Sequence, residues 1–181
     1  MAATKADATA TVIAVFNDHA SAEEAVRRLQ KDGIPMGHVS IIGKDFRSVE
    51  KPLGFVTTGD VAAGGAQIGA WTGGIFGLLV GAAFLILPGL GPVIVFGPLA
   101  AALLGGLEGA LAGAALGALG GALVGWGIPK DQALKYETQV KAGKFLVTLQ
   151  GDAEQIRRAK SLFTAGKAET TEVFEPVKAS A

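Results

Sequence analysis

The sequence predicts an α+β protein, a ferredoxin-like sandwich split by an inserted glycine-zipper α-helical hairpin of the membrane type. Three observations lead to this prediction. Strand and helix patterns alternate at both ends of the chain, the segment between them is almost free of charge, and glycines recur in it at every fourth position. Four strands with two crossover helices are typical of such a sandwich, whereas long charge-free segments are typical of membrane spans.

A β-α-β unit forms the first half of the predicted sandwich. Thr11–Phe16 (TVIAVF) has the β-branched composition of a buried strand. Ser21 and Glu24 form an S-x-x-E capping pattern, which predicts that a helix begins at Ser21, and Gly33 supplies its stop. His38–Gly43 (HVSIIG) then predicts the second strand.

The second half follows the insertion as a helix, a strand, a helix and a final strand. Pro129 begins a helix that runs through Ala142, and residues 144–150 (KFLVTLQ) predict a strand. Asp152 caps the next helix, and Thr170–Phe174 predicts an edge strand. Neither half has enough apolar surface to fold alone, so we expect both halves to build one sandwich.

The predicted organisation has five parts. A disordered N-terminus (1–10) precedes the first half of the sandwich (11–60), the glycine-zipper hairpin (61–128), the second half (129–175) and a disordered tail (176–181). Because the N-terminus is polar and lacks an apolar segment, we expect no cleaved signal peptide there.

Glycines at four-residue intervals form two ladders in the insertion. Residues i and i+4 lie above one another on a helix, so each ladder would clear one stripe of side chains. Glycine costs about 0.8–1 kcal/mol relative to alanine inside a helix, and close backbone packing between helices can compensate that cost. The ladders predict helix packing and oligomerisation, within one chain or across chains, through Gly65, Gly69, Gly73, Gly77, Gly81, Gly105, Gly109, Gly113, Gly117, Gly121 and Gly125.

The insertion has the length of a two-helix membrane hairpin. Ala66–Leu87 and Leu99–Trp126 are predicted as its helices, and the prolines and glycines between them as its turn. The first helix would measure about 33 Å, enough for a hydrocarbon core of about 30 Å. Lysines and arginines flank the two ends of the hairpin but not the turn, which predicts that both termini are cytoplasmic.

Two other assemblies are compatible with the same segment. Glycine-rich helices are less hydrophobic than leucine-rich spans, so the hairpins could bury one another in a cytoplasmic particle or shell. Alternatively, the hairpins could ring a pore lined by Glu108, the only ionisable residue between Val61 and Pro129, although a carboxyl near a helix end can also simply face water. In each version the partners are other copies of the chain or the lipid bilayer, because a large exposed apolar surface marks an interface.

The sequence contains no evident catalytic, cofactor or metal site. There is no cysteine, and the two histidines, His19 and His38, lie apart without a carboxylate motif. Ser21 is better explained as a helix cap than as a nucleophile. The formal net charge is zero, which gives no support for nucleic-acid binding. We therefore expect a protein that is not an enzyme and takes no cofactor or small-molecule substrate.

These patterns resemble a family of small bacterial general-stress or heat-induced stress proteins, which includes low-temperature-induced relatives. The resemblance lies in the strand, A-x-x-A-V-x-x-L helix, glycine and strand of Thr11–Asp45, in the G-I-P-x-x-x-A-x-x-Y-E segment of Gly127–Glu137, and in the G-K-F-L-V-T strand that begins at Gly143. It implies a glycine-zipper insertion and a stress-linked, non-enzymatic role. Together with the hairpin, it predicts a protein of the bacterial inner membrane that supports or remodels the bilayer.

Leucine substitutions test the ladders. A leucine at Gly73 or Gly117 would overpack a backbone contact, which costs about 1–3 kcal/mol, so we expect a changed oligomeric state by native mass spectrometry. The sandwich should keep its fold, because its predicted core lies elsewhere, at Val15, Val26, Ile41, Val147 and Ile156. Gly54→Leu, outside the ladders, is the control, and equal tolerance at all three glycines would contradict the zipper interpretation.

Overall fold

A computed structural model describes residues 9–44, 82–87, 90–105 and 116–175. Its strands are β1 (Ala10–Phe16), β2 (Val39–Lys44), β3 (Ala82–Leu87), β4 (Gly91–Phe96), β5 (Phe145–Gly151) and β6 (Thr170–Phe174). Its α-helices are α1 (His19–Lys31), α2 (Pro98–Gly105), α3 (Ala118–Gly125), α4 (Lys130–Lys141) and α5 (Ala153–Ala165), and a 3₁₀ turn (Met36–His38) leads into β2. The predicted α+β class is confirmed.

The strands of the two terminal halves lie in one antiparallel sheet of order β3-β4-β2-β5-β1-β6. β1 pairs with β5 on one side and with β6 on the other, and β5 also pairs with β2. Strands from the two halves therefore alternate across β2-β5-β1-β6, and we call this part of the sheet, together with α1, α4 and α5, the head. Because each half contributes strands that pair with the other, the head needs both ends of the chain.

The central strands β1 and β5 are buried on both faces of the sheet. Val12, Ala14 and Phe16 of β1 pack with α1 and α5 in one apolar cluster, whereas Ile13 and Val15 belong to a second cluster on the opposite face. Successive side chains of a strand point to opposite faces, so the continuous apolar run of β1 supplies two cores. The predicted core residues are all buried; Val15 lies in the second cluster, and Val26, Ile41, Val147 and Ile156 lie in the first.

α1 begins two residues earlier than the sequence predicts. Its N-cap is Asp18, whose carboxylate accepts hydrogen bonds from the Ser21 N–H and the Ser21 hydroxyl, each at 2.8 Å. These hydrogen bonds lower the pKa of Asp18. Ser21 therefore donates two hydrogen bonds to the N-cap residue Asp18 and is not itself the N-cap. The Asp152 cap of α5 and the stop at Gly33, with φ of 80°, are confirmed.

The inserted segment extends the sheet where the sequence predicts a membrane helix. Residues 82–87 form β3, which pairs with β4, and β4 pairs with β2 through partners such as Ile41 and Phe96. The predicted helix is therefore wrong in this part. The Ala-Ala-Phe-Leu-Ile-Leu and Val-Ile-Val-Phe runs of the two strands are apolar enough for a span. The run of β4 consists of β-branched and aromatic residues, which favour a sheet, and β3 pairs along its edge.

The second predicted helix is broken as well. α2 begins at Pro98, yet Gly117 has extended backbone with ψ of 177°, and α3 starts anew at Ala118. Among the residues that the structure describes, no helix is long and apolar enough to cross a bilayer. The remaining parts of the predicted hairpin, residues 61–81, 88–89 and 106–115, lie outside the described residues.

The turn from β4 into α2 passes close to β2. Gly97 has φ of 85°, and a Cβ at this position would lie 2.0 Å from the backbone oxygen of Val39. Beside it, the Ser40 hydroxyl oxygen accepts the Leu99 N–H at 3.0 Å. A side chain of the head therefore caps α2.

Gly97→Ala should destabilise the protein more than Gly91→Ala. Both glycines have positive φ, at 85° and 83°, but nothing lies within 4 Å of a Cβ at Gly91. The left-handed backbone alone costs an L-residue about 1–2 kcal/mol, and the overlap at Gly97 should add about 1–3 kcal/mol to the loss in free energy of unfolding. Urea unfolding measures both variants, and equal losses would contradict the close approach to β2.

Ser40 and Thr148 face each other across β2 and β5, and both are fully buried. Ser40→Ala removes the cap of α2 and should lower the free energy of unfolding by about 1–2 kcal/mol. The Thr148 hydroxyl has no hydrogen-bond partner among the described residues, so Thr148→Val should leave stability unchanged or raise it by up to about 1 kcal/mol. Urea unfolding distinguishes the two; a larger loss for Thr148→Val would refute this assignment.

Candidate functional site, where the insertion docks on the head

The insertion docks on the second face of the sheet through an apolar layer. Leu99 of α2 and Leu119 and Leu123 of α3 are buried there together with Tyr136 and Val140 of α4. The helices α2 (PLAAALLG) and α3 (ALGGALVG) contain no polar side chain. Any hydrogen bond between these helices and the head must therefore use their backbone groups.

A buried carboxylate holds the beginning of α3. Glu137 of α4 is only 2% exposed; its Oε2 accepts the Gly120 N–H at 2.9 Å, and its Oε1 lies 2.9 Å from Lys141 Nζ. The N-cap residue of α3, Gly117, has no side chain that could cap the helix. Glu137 supplies the missing acceptor from the neighbouring helix, at the end of α3 where negative charge is favourable.

Two glycines make room for this carboxylate. A Cβ at Gly117 would lie 2.1 Å from Glu137 Oε1, and a Cβ at Gly120 would lie 3.0 Å from Oε2. In contrast, a Cβ at Gly125, on the same predicted ladder, would meet nothing within 4 Å in the described structure. Gly117 is thus adapted to a side chain of its own chain, which adds a role that the ladder alone does not indicate.

Further polar contacts attach α4 to two strands of the sheet, β6 and β2. The Tyr136 hydroxyl donates a hydrogen bond to Glu172 of β6 at 2.9 Å, and Lys135 lies 3.3 Å from the same carboxylate. Burial, and then the hydrogen bond to Glu172, raise the pKa of Tyr136. On the other side, Lys44 of β2 donates to the backbone oxygen of Lys141 at 3.3 Å. The helix that carries Glu137 is therefore held by strands from both halves of the chain.

Most of the predicted packing residues lie outside the described residues, namely Gly65, Gly69, Gly73, Gly77, Gly81, Gly109, Gly113 and the pore candidate Glu108. Of the others, Gly105 ends α2, Gly117 precedes α3, and Gly121 and Gly125 lie within α3. Because Gly117 is extended, Gly105 and Gly125 do not belong to one continuous helical stripe. Packing between helices of different chains stays a prediction.

Sequence reasoning missed Glu137, although a signal was present. Ala133, Tyr136, Glu137 and Val140 are the buried residues of α4, and their spacing is that of the apolar stripe of an amphipathic helix. A glutamate on this stripe indicates a carboxylate that faces the protein interior. The sequence could not identify its partner, because that partner is a backbone N–H of a separate helix.

The histidines do not converge with other metal ligands in the described structure. His19 lies at the start of α1 with its ring edge-on to Phe145 at 5.8 Å, and burial lowers its pKa. His38 ends the 3₁₀ turn before β2. Among the residues described, no group of three or more histidine, cysteine, aspartate or glutamate side chains could hold a metal ion. Among the described residues, the candidate functional arrangement is the packing of the apolar insertion on the second face of the sheet.

Comparison with known families identifies the N-terminal part of the chain. Residues 11–87 match the model of the heat induced stress protein YflT domain. This range begins in β1 and ends with the last residue of β3. No curated protein and no solved structure matches the chain. The N-terminal part of the chain is thus similar to the heat induced stress protein YflT domain, which confirms the general-stress resemblance of its sequence.

Proposed function

We propose that this chain is a non-enzymatic stress-associated protein whose insertion associates with the insertions of other copies. The observation that carries the proposal is that α2 and α3 are apolar on every side. Ala101 and Gly125 are exposed, and Leu103 and Val124, which pack against the second cluster, are only half-buried, so apolar residues also reach the surface of these helices. A helix that is apolar all round is expected inside a core or an interface rather than in water.

The YflT domain supports the stress association. The order β2-β5-β1-β6, with α1 and α5 packed in one cluster, supports a ferredoxin-like head. In this proposal the head is the soluble part of each copy and the insertion is its contact surface. The glycine ladders would then pack between copies at positions other than Gly117.

The lipid bilayer is a second candidate partner for the same surface. No charge occurs from Val61 to Leu107, and the half-buried Trp126 stands directly after α3, a residue type that is enriched at membrane interfaces. Such an association would use the apolar face of the insertion and leave the head in water.

The oligomeric state of the full chain tests the proposal. In detergent-free buffer, light scattering coupled to size-exclusion chromatography should give an assembly larger than one chain. Ala101→Lys should reduce its size, because a lysine on α2 cannot be buried without a partner. Ala165→Lys is the matched control, since Ala165 is also an exposed helical alanine but ends α5, on the opposite face of the sheet.

Flotation with phospholipid vesicles separates the two partners. Wild-type protein that is monomeric without lipid and floats with vesicles would favour the bilayer over self-association. Protein that is monomeric and does not float would contradict both. An assembly that responds equally to Ala101→Lys and Ala165→Lys would place the contact outside the insertion.

A further inference from the structure

We propose that the Glu137 carboxylate is a charge-dependent latch that holds α3 on the head, and that neutralising this carboxylate releases α3 from α4. The proposal rests on the contacts of Glu137 and does not depend on what the insertion binds. It assigns a conformational function to Glu137, which is the buried acidic side chain among the described residues of the docking layer.

Both oxygens of Glu137 face donors. Oε2 accepts the Gly120 N–H at 2.9 Å, and Oε1 is 2.9 Å from the Lys141 ammonium. An ionised carboxylate has only acceptor sites and therefore suits both neighbours. A protonated carboxyl would direct an O–H toward one of these donors or rotate away, and it would also lose the ion pair with Lys141. Neutralisation therefore removes at least one of the two contacts.

α3 has no polar side chain, so no side chain of this helix can form a hydrogen bond in place of the lost contact with Glu137. Its attachment then depends on apolar packing alone, chiefly through Leu119 and Leu123, which are 1% and 0% exposed. Release of α3 would bring these two side chains into water or onto another apolar surface. The latch thus couples one negative charge to the exposure of apolar surface.

The charges around Glu137 give the direction of the effect. On its own helix Lys141 faces it, and from β2 Lys44 donates to the Lys141 carbonyl. α3 and β5 contribute no titratable side chain. Both lysines carry positive charge beside the carboxylate, so removing its negative charge also removes this attraction. Neutralising Glu137 by substitution should therefore open the latch.

Hydrogen–deuterium exchange of the full chain at neutral pH tests the role of the charge. Glu137→Gln should speed exchange of the α3 amides at least about tenfold, because a charge-assisted hydrogen bond is lost, while the β1 and β5 amides stay protected. Glu154→Gln is the matched control, since Glu154 is an exposed glutamate in the first turn of α5. Unchanged exchange of α3 in Glu137→Gln would overturn the proposal.

A second pair of variants keeps the Glu137 carboxylate, and one of the two places a methyl group in the space that the carboxylate occupies. Gly117→Ala places a methyl group 2.1 Å from the present position of Oε1, whereas Gly125→Ala meets nothing within 4 Å. Gly117→Ala should therefore speed exchange of the α3 amides and Gly125→Ala should not. If Glu137→Gln also speeds exchange of the β1 and β5 amides, the variant has unfolded the head, and the two alanine variants then test the latch instead. Equal protection of the α3 amides in both alanine variants would refute the latch.

Tryptophan fluorescence gives a second readout of the release of α3. The chain has two tryptophans, so Trp71→Phe leaves Trp126, directly after α3, as the reporter. In this background Glu137→Gln should shift the emission to longer wavelength at neutral pH, and Glu154→Gln should not. Identical spectra for the two variants would show that the Glu137 charge does not control the docking.

Discussion

The second face of the sheet must be covered by apolar side chains, and the other features of the structure depend on this requirement. Ile13 and Val15 of β1 and Leu146 of β5 point away from α1 and α5 and are fully buried. In a two-layer sandwich they would face water, and burial of each such side chain stabilises a fold by about 1.5–3 kcal/mol. α4 and the insertion supply the cover together, which makes the insertion part of the core of the protein rather than a separate module.

Coverage by helices without polar side chains creates a second requirement, because the N–H groups at the start of such helices need acceptors. The head provides them, through the Ser40 hydroxyl for α2 and the Glu137 carboxylate for α3. Each acceptor can reach its helix only where the neighbouring backbone lacks a Cβ, at Gly97 and Gly117. Some glycines of the insertion thus serve contacts with the head, whatever the ladders do between helices.

This arrangement changes how the segment that matches the YflT model and the insertion are related. The YflT match extends to the end of β3, a strand of the insertion that continues the sheet of the head. An association surface built from α2 and α3 would then be rigidly tied to the head through β4 and α4. A carboxylate at the junction is well placed to regulate such a surface, since its charge decides whether both of its contacts can form.

The sequence by itself determined the elements of the head, because caps, glycine stops and apolar periodicity act over a few residues. Asp152, Gly33 and the run of Thr11–Phe16 all have the predicted roles. It also contained the stripe that marks Glu137 as buried. Only the tertiary structure decided that residues 82–87 form a strand and that Gly117 breaks a helix, because an apolar run fits either conformation. The choice depended on the open edge of β2 and on a distant carboxylate, neither of which is visible in local sequence.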